Sequence, residues 1–134
     1  MANVIFYEKP GCINNTKQKR LLQNAGHTLD VYNLLTIPWT LEKLRPFFGN
    51  RPIPEWFNPT APKIKSGEII PRNLDERTAL YLMIANPLLI RRPLIQVGEV
   101  CQVGFDIEQI KSWIGLNDLG SVIEDLETCP NTHQ

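Results

Sequence analysis

Apolar runs and amphipathic stretches alternate over the first part of the chain. Residues 3–7, NVIFY, favour β structure and are followed by a Pro10-Gly11 turn, which predicts a buried strand. Apolar positions then recur at three- and four-residue steps up to Gly26, which predicts a helix with a left-handed C-terminal cap. HTLDVYNLL, residues 27–35, alternates and predicts a half-buried second strand. Together these elements predict a βαβ unit with a right-handed crossover.

The remainder of the chain predicts short helices followed by a hairpin. Thr40 is a plausible N-cap, and a proline-rich stretch up to Pro71 favours turns and loop. NLDERTALYLMIANP, residues 73–87, predicts a helix that opens with the capping-box spacing of Asn73 and Glu76. Residues 93–105 then predict a hairpin, and Asp106 begins a last helix. The predicted fold class is α/β: a thioredoxin-like mixed sheet with helices on both faces and a helical insertion between strands 2 and 3.

The length of 134 residues favours a single domain. We expect this domain over residues 1–115, with the insertion at about 38–86, and a partly disordered acidic extension over residues 116–134. Basic and acidic residues number 14 each, so no net charge would attract nucleic acid or an anionic membrane. No targeting segment or long apolar run is evident. We therefore expect a cytoplasmic protein that binds neither nucleic acid directly nor membranes.

Cys12 lies between a predicted strand and a predicted helix. Backbone N–H groups and the helix dipole at that position favour thiolate over thiol, which would make Cys12 a nucleophile. The alternative is an ordinary buried cysteine that packs as a small apolar group. A Cys-x-x-Cys disulfide cannot form, because the third residue after Cys12 is Asn15. A metal site is not expected, since His27 and His133 lack ligand spacing.

The segment Arg91-Arg92-Pro93 directly precedes an apolar strand. Proline at such a position can hold a cis peptide bond in a tight turn. The two guanidinium groups could bind an oxyanion and favour a nearby thiolate, or they could be solvated surface groups. The first interpretation requires the fold to bring them to Cys12.

The other cysteines and the large aromatic residues have plainer interpretations. Cys101 is expected in the core, while Cys129 is either inert or a resolving thiol that reaches Cys12. An aromatic cluster is expected to form the core of the insertion rather than a stacking platform. Its members are Trp39, Phe47, Phe48, Trp56 and Phe57.

Three segments, FYEKPGCINNTKQKRLL, NPLLIRRPLI and QVGFD, together resemble the ArsC/Spx family of arsenate reductase-like, thioredoxin-like proteins over residues 1 to about 115. The turn KPGCINN and the segments EWFNP and LLIRRP are similar to the nitrogenase-associated branch of that family. The resemblance implies a cis-proline loop facing the cysteine turn.

The resemblance also implies roles for particular residues. Cys12 matches the nucleophile of arsenate reductases, and Arg92 matches an arginine that binds the oxyanion. Asn58 and Gln102 stand where two further arginines would be expected, so efficient arsenate reduction is not predicted. We assign substrate binding to the residues beside the two catalytic candidates, namely Asn14, Asn15, Arg91 and Pro93. No bound cofactor is expected, and glutathione or glutaredoxin is the implied thiol partner.

Two functions therefore stay open at the level of sequence. One is a glutathione-dependent thiol reductase or thiol transferase that uses Cys12 and Arg92. The other is a non-enzymatic, Spx-like redox sensor or binding module. Its protein partner would be linked to nitrogen fixation or, as the likeness to Spx implies, to RNA polymerase.

Overall fold

The computed structural model describes residues 2–116. Its four strands form one mixed sheet in the order β2-β1-β3-β4, in which β1 is parallel to β2 and antiparallel to β3. Strands β3 and β4 form an antiparallel hairpin. The strands are β1 (Asn3–Glu8), β2 (Thr28–Asn33), β3 (Leu94–Val97) and β4 (Val100–Val103).

The helices are short apart from two. The α-helices are α1 (Ile13–Asn24), α2 (Leu41–Leu44), α3 (Pro62–Lys65), α4 (Glu76–Ala85) and α5 (Ile107–Trp113). Four 3₁₀ turns lie at Arg45–Phe48, Ile53–Trp56, Pro71–Asn73 and Pro87–Leu89. Each of these turns contains a proline in its first two positions, where the missing N–H breaks no internal hydrogen bond. No helix among the described residues is both long and apolar enough to cross a membrane.

Alternation along β1 separates two hydrophobic cores. Val4 and Phe6 pack on one face with residues of α1 and α5, whereas Tyr7 packs on the other face against the insertion. The five aromatic residues expected in the insertion are buried in that second core. Helices therefore cover both faces of the sheet, and the predicted fold class is confirmed.

Two local predictions need correction. The N-cap of α4 is Asp75, whose side chain accepts the Thr78 N–H at 2.8 Å, and not Asn73. Asn73 instead ends a 3₁₀ turn, because the prolines upstream favour that tighter geometry. Strand β2 is mostly exposed rather than half-buried, with Val31 and Tyr32 both in contact with solvent, because it lies at the edge of the sheet.

His27 connects the two ends of the described chain. Its Nδ1 accepts the Ala2 N–H at 3.0 Å, and its Nε2 lies 2.8 Å from the Gly115 carbonyl oxygen. Since a carbonyl can only accept, Nε2 is the donor of the second hydrogen bond. The ring is buried and both of its nitrogens are hydrogen-bonded. We call this arrangement the His27 latch.

Candidate functional site

The sheet brings the Cys12 turn and the Arg92-Pro93 segment to the same end of two adjacent strands. Tyr7 in β1 is paired with Leu94 in β3, and the two strands are antiparallel. The C-terminal end of β1 therefore lies beside the N-terminal start of β3. Residues that are about eighty positions apart in the chain consequently emerge in neighbouring loops.

The Cys12 turn has well-defined backbone bonds. The Cys12 N–H donates to the Lys9 carbonyl oxygen at 3.2 Å, and Gly11 between them has a positive φ of 83°. Cys12 is the N-cap residue of α1, and its carbonyl oxygen accepts the Thr16 N–H at 3.1 Å. Its side chain is almost completely buried, with 2% of its surface exposed. Cys12 therefore lies buried at the N-terminal end of α1, as the sequence predicts, and its thiolate character stays a prediction.

Asn15 holds this turn in place. Its side-chain oxygen accepts the Lys9 N–H at 3.0 Å, and its amide nitrogen donates to Gln18 Oε1 at 2.9 Å. Asn14, Asn15 and Gln18 are all buried, and Gln18 Nε2 has no hydrogen-bond partner within the described part of the chain. The structure thus gives Asn15 a role in supporting the loop, and its predicted role in substrate binding stays a prediction.

The Arg92-Pro93 peptide bond is cis. Arg92 is 5% exposed, and its Nε has no hydrogen-bond partner among residues 2–116. Burial lowers the pKa of the Arg92 guanidinium, although an arginine remains charged at neutral pH. Arg91 points elsewhere, since its guanidinium donates to the Glu55 carbonyl oxygen at 3.1 Å. The two arginines therefore have different environments, and Arg92 is the one that is desolvated.

Backbone hydrogen bonds join the segments EWFNP and LLIRRP. Phe57 and Ile90 form an antiparallel bridge, the Asn58 N–H donates to the Leu89 carbonyl at 2.8 Å, and the Arg91 N–H donates to the Trp56 carbonyl at 3.0 Å. These bonds place Asn58 beside the approach to Arg92. The two segments that the sequence marks as distinctive thus form one wall of the site.

A cleft of about 520 Å³ opens at this wall, and we call it the Arg92 cleft. Three cationic residues line it: Arg92, Lys9 from the cysteine turn, and Lys65 from the end of α3. Asn58 and Leu88 also line it. Cys12 is not among the lining residues, and its connection to the cleft runs through the hydrogen bond to the Lys9 carbonyl. The structure therefore joins the Cys12 turn and Arg92 through a shared neighbour.

Asn58 and Gln102, which stand where the resemblance implies two further arginines, lie in different parts of the structure. Asn58 lines the Arg92 cleft, but its side-chain oxygen accepts from the Thr60 N–H and hydroxyl while its nitrogen donates to the Leu88 carbonyl at 3.3 Å. Gln102 lines a different cleft and accepts a hydrogen bond from Gln109 at 2.9 Å. The Asn58 amide is thus hydrogen-bonded to Thr60 and Leu88, and Gln102 is not part of the Arg92 cleft.

Cys101 does not line the Arg92 cleft. Cys101 is half-buried and free, and burial raises the pKa of its thiol. Cys129 lies outside the described residues. No group of three or more His, Cys, Asp or Glu side chains between residues 2 and 116 could hold a metal ion.

Sequence reasoning did not find Lys9 and Lys65. Lys9 stands three residues before Cys12, a spacing at which a turn can return the side chain to the site. Lys65 is in the proline-rich segment, about 50 residues away from Cys12, and no local pattern marks it. Only the packing of the insertion against the β1–β3 end of the sheet shows that these two lysines share a cleft.

A mixed four-stranded sheet with helices on both faces and a cis-proline loop beside a cysteine turn defines a thioredoxin-like protein. The family model described as "ArsC family" matches residues 64–113. An uncharacterized 15.7 kDa protein in the draG 3' region of Rhodospirillum rubrum is 50% identical over 133 residues, which cover 98% of this chain and 90% of that protein. The chain belongs to the ArsC family.

Solved structures show the same fold. Arsenate reductase from Vibrio cholerae superposes with a TM-score of 0.70 at 21% identity, covering 83% of this chain and 97% of that one. An ArsC family related protein from Bacteroides fragilis gives a TM-score of 0.72 at 21% identity, covering 81% of this chain and 95% of that one. At this identity the likeness concerns the fold.

Proposed function

We propose that this protein is a thiol-dependent reductase or thiol transferase in which Cys12 is the nucleophile and Arg92 stabilises the anion that forms. The observation that carries this proposal is the desolvated Arg92, whose Nε has no partner within residues 2–116 and which lines one cleft with Lys9. Lys9 in turn holds the backbone of Cys12. A buried donor without an acceptor is costly unless a ligand supplies one.

The chemistry follows from the two charges. The N-terminus of α1 favours the Cys12 thiolate, and only the thiolate attacks a disulfide sulfur efficiently. A negative leaving group would be stabilised by the Arg92 guanidinium, whose effect is strong because water is largely excluded around it. Cys12 thus supplies the electron pair for the attack, and Arg92 stabilises the negative charge on the leaving group.

With a disulfide substrate, the reaction balances as three thiol–disulfide exchanges. The Cys12 thiolate forms a bond to one sulfur, the substrate S–S bond breaks, and the departing thiolate takes a proton from water. Glutathione thiolate then attacks the mixed disulfide and releases the second substrate thiol. A second glutathione restores Cys12, so two glutathione molecules are oxidised to one glutathione disulfide for each substrate disulfide reduced. We place this activity in the cytoplasm, where glutathione keeps thiols reduced.

Efficient arsenate reduction is not expected. Two cationic donors of the arsenate reductase pattern are replaced by Asn58 and Gln102, and the Asn58 amide is already hydrogen-bonded to Thr60 and to the Leu88 carbonyl. Each charge-assisted hydrogen bond is worth about 1.5 to 3 kcal/mol. We therefore expect turnover with arsenate and glutathione to stay near the background of Cys12→Ser.

The test is a glutathione-coupled assay with bis(2-hydroxyethyl) disulfide as substrate. Turnover should be lost in Cys12→Ser and retained in Cys101→Ser, which is a matched control because Cys101 is free and lies outside the Arg92 cleft. Arg92→Met should lower the rate about 10- to 100-fold while the fold is kept. Equal turnover in wild type and Cys12→Ser would refute the proposal.

Reactivity against pH gives a second measurement. A thiol-specific reagent should modify Cys12 at a lower pH than Cys101, whose thiol pKa is raised by burial. Replacing Arg92 by Met should move the Cys12 profile towards higher pH and leave the Cys101 profile unchanged. If both cysteines react with the same pH profile, Cys12 is not an activated thiol.

Cys129 enters this proposal as a resolving thiol that attacks the mixed disulfide in place of the first glutathione, after which two glutathione molecules reduce the Cys12–Cys129 disulfide. Mass spectrometry after mild peroxide treatment should then find a disulfide between Cys12 and Cys129. Finding only Cys12 adducts with glutathione, or overoxidised Cys12, would remove Cys129 from the mechanism and leave glutathione as the resolving group.

A second candidate function is a redox-sensing or binding module connected with nitrogen fixation or transcription. It is favoured by Asn15, which occupies the Cys-x-x-Cys position and is committed to holding the turn. The draG region in the name of the Rhodospirillum relative is consistent with the nitrogenase-associated branch. Capture from nitrogen-fixing cells by a Cys12-trapping variant discriminates: a single regulatory partner, without turnover in the assay above, would favour this function.

A further inference from the structure

The Arg92 cleft is much larger than the anion of an arsenate reductase requires. A tetrahedral oxyanion displaces roughly three waters, or about 90 Å³ at about 30 Å³ per water, so the cleft of about 520 Å³ is more than five times too large. That volume lies within the range of pockets that bind small organic molecules. The size of the cleft therefore indicates a ligand with a carbon skeleton.

The charge of the cleft is one-sided. Lys9, Lys65 and Arg92 line it, and none of the described lining residues is acidic. Like charges gathered in a cleft repel one another unless an anion lies between them. The lining therefore favours a ligand that carries more than one negative charge.

The two lysines of the cleft differ in ion pairing from two other lysines of the described chain, Lys19 and Lys63. Lys19 pairs with Glu8 at 2.6 Å and Lys63 approaches Glu68 at 3.9 Å, whereas within residues 2–116 neither Lys9 nor Lys65 forms an ion pair. Their ammonium groups are thus available to a ligand. Together with the unpartnered Nε of Arg92, three cationic donors have no protein acid to neutralise them in the described part of the chain.

The remaining lining groups suit an organic body. Leu88, Ala61 and Pro62 supply apolar surface, while the Asn58 amide is bonded to backbone and so does not compete for an anion. A planar guanidinium binds a carboxylate through two parallel hydrogen bonds, and lysines act as point charges that tolerate a second, less fixed carboxylate. The cleft therefore has one directional and two adaptable anion contacts.

We propose that the Arg92 cleft binds an organic dicarboxylate, with one carboxylate on Arg92 and the other near Lys9 and Lys65. This inference rests on the proposed function for the place of the ligand beside Cys12, but it does not depend on thiol chemistry. Lys9 and Lys65 are then specificity residues that distinguish an organic dianion from a bare oxyanion. A free aliphatic dicarboxylate carries this chemistry, and glutathione is the thiol partner of the proposed function, not the ligand inferred here.

The test measures binding to the full chain with Cys12→Ser, so that no thiol reaction contributes. Calorimetric titration compares pentanedioate, S-methylglutathione, butanoate and sulfate at one ionic strength. Pentanedioate should bind at least about tenfold more tightly than butanoate and sulfate, because it alone of these three carries two carboxylates on an aliphatic chain. S-methylglutathione binding more tightly than pentanedioate would make the cleft the glutathione site of the proposed function and overturn the inference.

Variants of single lysines locate the site. In the same background, Lys65→Met should weaken pentanedioate binding about five- to tenfold and leave sulfate binding nearly unchanged. Lys63→Met is the matched control: it is two residues away, pairs with Glu68, and is not a lining residue, so binding should not change. Circular dichroism and urea midpoints check that each variant is folded.

Several results would overturn this inference. Sulfate binding as tightly as pentanedioate would make the cleft a site for bare oxyanions. Equal effects of Lys63→Met and Lys65→Met on pentanedioate binding would show that the ligand does not bind in the Arg92 cleft. The absence of any heat of binding with millimolar pentanedioate would show that the cleft does not bind a dicarboxylate. Dicarboxylate binding by Cys12→Ser without disulfide turnover in the wild type would support the cleft ligand and reject the reductase, so the two proposals fail separately.

Discussion

The two ends of strand β1 carry buried polar groups of opposite kinds. At the N-terminal end, the His27 latch makes a hydrogen bond with each imidazole nitrogen. At the C-terminal end, Arg92 keeps an unpartnered Nε and Gln18 an unpartnered Nε2 within residues 2–116. A buried polar group with every bond made stabilises the fold, whereas one without a partner costs stability and marks a place where a ligand is expected.

The largest effect on stability is expected at the end where all bonds are made. His27→Ala removes the acceptor of the Ala2 N–H and the donor to the Gly115 carbonyl, so it should lower the free energy of unfolding by about 2 to 4 kcal/mol. Urea denaturation measures this change. His27→Gln keeps one acceptor and one donor and should lose less; equal losses would mean that packing, and not hydrogen bonding, sets the effect.

Asn15 should give the next largest effect on stability, because its buried side chain makes two hydrogen bonds at the C-terminal end of β1. Asn15→Leu removes the acceptor of the Lys9 N–H and leaves Gln18 without its donor, which should cost about 1 to 3 kcal/mol in unfolding free energy. It should also change the pH profile of Cys12 modification, since Lys9 anchors the Cys12 N–H. A destabilised variant with an unaltered Cys12 profile would show that the turn does not need this support.

Arg92 should have the smallest effect of the three on folding and the greatest on function. Arg92→Met removes a desolvated charge with an unmade bond, so unfolding free energy should stay within about 1 kcal/mol of the wild type or rise. Urea midpoints measured beside His27→Ala make the contrast direct. If Arg92→Met were as destabilising as His27→Ala, the difference drawn between the two ends of β1 would be wrong.

The smallest effect on stability is expected from the protonation of Tyr7 and Cys101, which extends the comparison from hydrogen bonds to titratable groups. Burial raises the pKa of Tyr7, with further contributions from Tyr32 and Cys101, and burial also raises the pKa of Cys101. Both side chains are neutral when protonated, and burial favours that form. Their contribution to stability is fully present below the unfolded pKa values, which are 10.0 for Tyr7 and 9.0 for Cys101, and it is lost as pH rises through the raised folded values.

Urea midpoints measured from pH 8 upwards should therefore fall, with a shallower fall in Tyr7→Phe and Cys101→Ala. The two substitutions leave the His27 latch and the Arg92 cleft in place. An unchanged slope in both variants would assign the alkaline loss of stability to other groups.

Much of the fold was predictable because its signals are local. The β-favouring run NVIFY, the Pro-Gly turn and the cap at Asp106 predict elements that the structure contains, and the Asp106 side chain accepts the Gln109 N–H at 3.2 Å. The N-cap of α4 was missed because Asn73 and Asp75 are both good caps, and only the 3₁₀ turn that ends at Asn73 decides between the two. Such errors concern competing residues of similar propensity.

The candidate site was less predictable, because its contacts are long-range. Cys12 and Arg92 could be named from their segments, and the sheet confirms that these segments lie side by side. The sequence did not show that Arg91 turns away towards Glu55 or that Lys65 joins the cleft, since both depend on how the insertion packs. His27 was considered only as a metal ligand, because a pairing with Gly115, 88 residues away, leaves no pattern in the chain.

The carbonyl of Gly115 also decides where this chain can be shortened. A version cut after residue 113, the last position that the family model matches, would keep helix α5 whole but remove the imidazole's acceptor. A version cut after residue 116 would keep it, so of these two shortened chains the one that ends at residue 113 should have the lower free energy of unfolding.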